Sequence, residues 1–195
     1  MEVVKYSKIY RILHWLIATA FILLLITIFL RLTFMNKYNV SDIIQNYLSS
    51  TDQSLTEDQS IALAKQIRQP MWIWHIYIGY FLVGLFSIRF LLAPTGFMKF
   101  QNPFTKGLSL KMKFQKWTYI VFYVCVTISL ITGMLIVLGP KSLKKSLEDI
   151  HVLGIYYLLA FIIVHIAGVL IAEFTNQKGI ISRIVSGSHD LKNKN

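Results

Sequence analysis

Residues 150–172 read IHVLGIYYLLAFIIVHIAGVLIA and hold no aspartate, glutamate, lysine or arginine. A helix needs ~20 mostly apolar residues to cross ~30 Å of hydrocarbon, so this stretch predicts a membrane-spanning helix. Its polar landmarks are His151 and His165, 14 residues apart. At about 100° per residue, 14 steps fall roughly 40° short of four full turns, which places both imidazoles on one face of a single helix. Along the axis they stand ~21 Å apart at 1.5 Å per residue. That is too far for one shared metal ion and suits two separate sites stacked across a membrane.

Three further stretches are free of charge: residues 12–30, 71–88 and 117–138. The second continues past Arg89 through Ala93. The expected architecture is an all-α membrane protein, a single domain over 1–195 built as a four-transmembrane-helix bundle. Its spans are placed at about 10–34, 71–93, 114–138 and 150–173. The first span is too long for the apolar region of a cleaved signal peptide and lacks a small-residue cleavage site. Composition agrees: of 195 residues 55% are hydrophobic, and only 15% are charged. Soluble domains carry about 25% charged residues.

The net charge of +11 follows the positive-inside pattern rather than a nucleic-acid footprint, because no basic motif is interleaved with aromatics. Lys5, Lys8 and Arg11 precede the first span. Arg89, Lys99, Lys106, Lys111, Lys113 and Lys116 lie at or between the second and third, and Lys178, Arg183, Lys192 and Lys194 follow the fourth. These are 13 of the 20 basic residues, all on one side of a four-span chain. The other side mixes its seven with Asp42, Asp52, Glu57, Asp58, Glu148 and Asp149. The bias puts both termini in the cytoplasm.

Residues 35–70 form an outer lid with two short helices expected. Ser41-Asp42 can cap the first, which runs through Leu48. Thr56 with Gln59 makes a capping-box pattern ahead of IALAKQIRQ, and Pro70 is expected to end that run. The connection 94–113 is rich in turn residues, and Gly139-Pro140 ends the third span. KSLKKSLED, residues 141–149, is placed at the outer interface. The cytoplasmic tail, 176–195, begins as a short amphipathic segment and turns polar, so its His189 reads as solvated. Cys125 is the lone cysteine and reads as a small apolar residue; no C-x-x-C-H is present for covalent haem attachment.

Two more histidines, His14 and His75, sit in the first and second spans. A single membrane histidine hydrogen-bonded to a carbonyl is common, but four at matched depths ask for a function. His14 and His165 lie toward the cytoplasmic ends of their spans, His75 and His151 toward the outer ends. Depth therefore pairs His14 with His165 and His75 with His151. Zinc would want three or four ligands converging on one ion. Haem iron accepts two axial imidazoles, and its flat ring fits between helices. The pairs thus read as two bis-histidine b-haem sites, held by coordination and packing. Gly79, one turn after His75, and Gly133 in the third span are read as leaving room for porphyrin, with close helix packing as the alternative. Arg89 and Arg11 are candidates to meet haem propionates, with charge anchoring as the alternative. Trp72 and Trp74 beside His75 read as an interfacial belt or the wall of an outer quinone pocket.

KYSKIYRILHW (5–15), HIYIG (75–79), ITG (131–133), the H-x13-H of the fourth span with HIAG (165–168), and GIISRIVSG (179–187) resemble the bacterial cytochrome b561 family. That family includes the b-type cytochrome subunits of nickel–iron hydrogenases. The resemblance covers nearly the whole chain except the lid and the last residues. It implies a multi-pass cytochrome of the bacterial inner membrane with two non-covalent b haems that exchanges electrons with quinone or quinol. The ligands it implies are His14, His75, His151 and His165. Two functions compete. One is an electron-transfer subunit between a dehydrogenase or hydrogenase partner and the quinone pool. The other is a stand-alone superoxide:quinone oxidoreductase, for which Lys141, Lys144 and Lys145 could attract a small anion.

Overall fold

The computed structural model describes residues 6–95, 102–175 and 177–187. Their regular elements are helices: α1 (Lys8–Leu32), α2 (Lys37–Ser49), α3 (Glu57–Ile67), α4 (Gln69–Leu91), α5 (Leu110–Leu138), α6 (Lys144–His151), α7 (Gly154–Phe174) and α8 (Ile180–Val185). A short 3-10 turn, Lys141–Leu143, leads into α6. Among the described residues four segments are long and apolar enough to cross a bilayer: α1, α4, α5 and the run Lys141–Phe174. Many of their large apolar side chains, such as Phe81, Val124 and Ile163, point outward. In water that would be a liability; in hydrocarbon it is ordinary solvation.

The chain divides into two compact units, Ile17–Gly84 and Met1–Leu16 with Leu85–Asn195. In the first of these, α2 and α3 are the two short helices expected within 35–70. The Thr56 box is present: the Thr56 hydroxyl accepts from the Gln59 amide, and the Gln59 side chain accepts from the Thr56 amide. Ser41-Asp42 is not the cap of the other helix. Asn36 is, its carbonyl oxygen accepting from the Tyr38 amide at 3.0 Å. Ser41 instead lies inside α2, buried, with its hydroxyl 2.7 Å from that of Ser60. Gln45 donates to the same Ser60 oxygen, and Ala64 is fully buried one turn on. Small side chains let the two helices approach closely, and their hydroxyls satisfy one another. Nor does Pro70 end the preceding helix. That helix stops at Ile67, and Pro70 is the second residue of α4, where a missing N–H costs nothing.

In the other unit, Ser109 caps α5 by accepting from the Met112 amide, so the helix starts four residues before the expected 114. Gly139 ends it: a Cβ there would stand 2.5 Å from the Leu135 carbonyl oxygen. The fourth span differs from expectation. His151 and His165 do not share one helix, because α6 ends at His151 and α7 begins at Gly154. Between them the chain tightens, with Leu153 N–H donating to Ile150 and Tyr156 N–H to Leu153, three residues back. This turn is pressed close against α5. A Cβ on Gly154 would meet the Ser129 hydroxyl at 3.1 Å, and one on Gly133 would meet the His151 ring at 3.0 Å.

The short α8 is held at both ends. Gly179, at φ +80°, and Ile181 donate their N–H groups to the Glu173 carboxylate at 2.7 and 3.1 Å. At its other end the Trp15 indole donates to the Ile184 carbonyl at 3.2 Å. His189 lies outside the described residues.

Candidate functional site

His14 and His165 come together. The α1 and α7 imidazoles have ring centres 6.2 Å apart with planes at 47°. Each is backed by aromatic carbon. Tyr10, one turn before His14, stacks on it at 5° and 6.5 Å; Tyr6 in turn stacks on Tyr10. Phe161, one turn before His165, stacks on that ring at 14° and 5.5 Å, and Phe122 of α5 stacks on Phe161. The i, i+4 spacing puts each aromatic on the same helix face as its histidine. The Tyr119 hydroxyl lies 3.3 Å from His165 Nδ1. Ahead of α1, burial pushes the Tyr6 phenol above its usual range, partly offset by the Arg183 charge.

His151, the last residue of α6, turns its ring onto α5. Its Nδ1 is 3.0 Å from the Ser129 carbonyl oxygen and 3.2 Å from the Thr132 hydroxyl. A carbonyl only accepts, so Nδ1 carries the proton and Nε2 keeps its lone pair. The room beside Gly133 is taken by this imidazole.

His75, in the Ile17–Gly84 unit, has the same arrangement by another route. Thr27 of α1 spends its single hydroxyl proton on the Leu24 carbonyl at 2.6 Å. The 2.7 Å contact between Thr27 Oγ1 and His75 Nδ1 therefore has the imidazole donating. Again the proton sits on Nδ1. Trp72 stacks on this ring at 6° and 4.8 Å and receives the Arg31 guanidinium over its own ring at 5.0 Å. Trp74 instead stands edge-on to Tyr77.

Of the other sequence candidates, Gly79 has open space around it: nothing lies within 4 Å of where a Cβ would be. Arg89 lies over the Tyr123 ring at 5.5 Å. Arg11 reaches toward the end of α8, where its guanidinium crowds Gly187 and approaches the Val185 carbonyl at 3.5 Å. Sequence reasoning missed Thr27, Thr132, Tyr119, Phe161 and Tyr10. A hydroxyl in the charge-free run 12–30 was a signal for Thr27. No local signal marks Tyr119, which is 46 residues from its histidine.

Among the described residues no three histidine, cysteine or carboxylate side chains gather as a metal cage. The fit to haem is a different question. His14 and His165, with ring centres 6.2 Å apart between aromatic walls, offer two imidazole donors beside flat apolar carbon, a set that would hold a haem iron.

No curated protein and no solved structure matches the chain. Residues 5–187 match the family described as prokaryotic cytochrome b561. With four membrane-length helices, half-buried histidines on three of the four spanning segments and a match running almost from end to end, the chain belongs to the prokaryotic cytochrome b561 family of membrane cytochromes.

Proposed function

We propose that this protein is a di-haem electron carrier that links a dehydrogenase- or hydrogenase-type partner to the quinone pool, with both termini in the cytoplasm. The observation that carries the reading is the His14–His165 pair, 6.2 Å apart between Tyr10 and Phe161. In this reading His14 and His165 hold an inner b haem, and His75 and His151 an outer one, paired by their depth in the sequence. Bound haem supplies one-electron chemistry; the chain positions it and tunes it. The aromatic rings of Tyr10 and Phe161 line the inner pair with apolar carbon. The oxygens around His75 and His151 orient each ring through Nδ1, and Nε2 would be the ligand atom. Arg11 and Arg89 supply positive charge at the inner side for propionates. Two such sites at opposite depths would give a conduit between a partner and a membrane quinone. Pyridine haemochromogen assay of the purified protein is expected to give close to two b haems per polypeptide. A value near zero would overturn the cytochrome reading, and a value near one would remove one of the pairs.

Gly133 gives a second test. Valine there would push branched carbon into the space held by the His151 ring, already 3.0 Å from a single Cβ. Gly133→Val is expected to lose the haem carried by His151, halving haem content while the inner haem's spectrum persists. Full loading in that variant would show that the His151 ring position is not needed for haem.

A further inference from the structure

The four histidines are not held alike. His75 and His151 each direct Nδ1 at oxygen acceptors within 3.0 Å: the Thr27 hydroxyl, whose proton is committed to Leu24, and the Ser129 carbonyl. Thr132 adds a second oxygen at 3.2 Å beside His151 while bonding back to Ile128 at 2.8 Å. Both threonines are buried, at 7% and 6% exposure, so water does not compete for these bonds. Among the described residues His165 has the longer Tyr119 contact, 3.3 Å, and packs on the face of Phe161. His14 is likewise packed among rings, Tyr10 and Trp15.

An acceptor on Nδ1–H draws that proton outward and makes Nε2 a more basic, more electron-donating ligand. A stronger donor favours the ferric over the ferrous ion, and so lowers the reduction potential. We infer that Thr27 and Thr132 are positioning residues that fix the tautomer of His75 and His151, and that the haem these two histidines carry is thereby the lower-potential one of the two. This rests on the ligand assignment proposed above. It adds an order of potentials that the assignment alone does not contain: electrons entering at the outer haem run downhill to the inner one.

The test is a potentiometric titration of the purified holoprotein followed by visible spectroscopy, with haem content measured in parallel. Thr27→Val removes the acceptor and keeps the shape. It is expected to retain two haems and to raise the potential of the low component. The shift corresponds to about a tenfold change in its ferric/ferrous ratio, or ~59 mV for one electron. Thr132→Val should move the same component in the same direction by less, because the Ser129 carbonyl stays. Thr27→Ser, which keeps the hydroxyl, should return the parent potential. Thr127→Val is the control: Thr127 back-bonds to Tyr123 on the same helix at 2.8 Å, and neither potential should move. His75→Ala separates the two ideas. If it leaves both haems bound, the ligand assignment fails. If it loses the low-potential haem but Thr27→Val leaves both potentials in place, the positioning role fails and the ligand assignment stands. Loss of haem from Thr27→Ser as well as Thr27→Val would assign Thr27 to packing and overturn the role of its hydroxyl. A Thr27→Val shift confined to the high-potential component would overturn the order.

Discussion

The double variant His151→Ala, His165→Ala is expected to bind no haem and to accumulate poorly in the membrane. Under the proposed assignment each of these histidines ligates a different iron, so the pair of changes removes one axial ligand from both sites at once. The loss reaches folding as well as spectra. A ligand that binds only the native state stabilises it by about 2.7 kcal/mol at one hundred times its dissociation constant, and both haems would be forfeited. Losses of 1–2 kcal/mol already change abundance by roughly several-fold. The variant also strips the ring that fills the space beside Gly133 and the ring stacked on Phe161. His189→Ala, in the tail, is the companion and should keep both haems at parental abundance. Quantitative haem assay with immunoblotting of membranes decides the matter. Full haem in the double variant, or haem loss in the tail variant, refutes the ligand set.

The second large effect concerns which histidines act together. His14→Ala and His165→Ala should each erase the same spectral component, and His75→Ala should erase the other. The first two rings lie 6.2 Å apart, so under the proposed assignment removing either would leave the same iron with one protein ligand. His75 is tied instead to Thr27 and Trp72. Low-temperature reduced-minus-oxidised spectra of the three single variants separate the components. The pairing is wrong if His14→Ala and His75→Ala remove the same one.

The four spans were readable because hydrocarbon excludes charge, and exclusion over some twenty residues leaves a mark in any sequence. The Thr56–Gln59 box was readable for a similar reason, since both partners lie within one turn. The meeting of His14 with His165 followed from depth alone. What escaped depends on contacts between distant segments. Ser41 looks like a cap, and only the arrival of Ser60 on α3 shows why it is inside a helix. Thr27 looks like a tolerated hydroxyl until the His75 ring, 48 residues away, is seen 2.7 Å from it. Gly133 read as space for a cofactor, and its nearest neighbour is the ring of His151. The break at Val152–Leu153 has no proline and no polar run to announce it. It coincides with the close approach of α5 at Ser129 and Gly133, which no periodicity within the fourth span encodes.

That break has a consequence for how the two halves of the fourth span can change. In one uninterrupted helix the azimuth of His151 would dictate that of His165, and any adjustment of one ring would rotate the other off its target. The tightened turn at Val152–Leu153 removes this phase lock. A substitution that reshapes this turn re-aims His151 while the register of α7, and with it the stacking of His165 on Phe161, is preserved. Each site can therefore be retuned by substitution without retuning its neighbour.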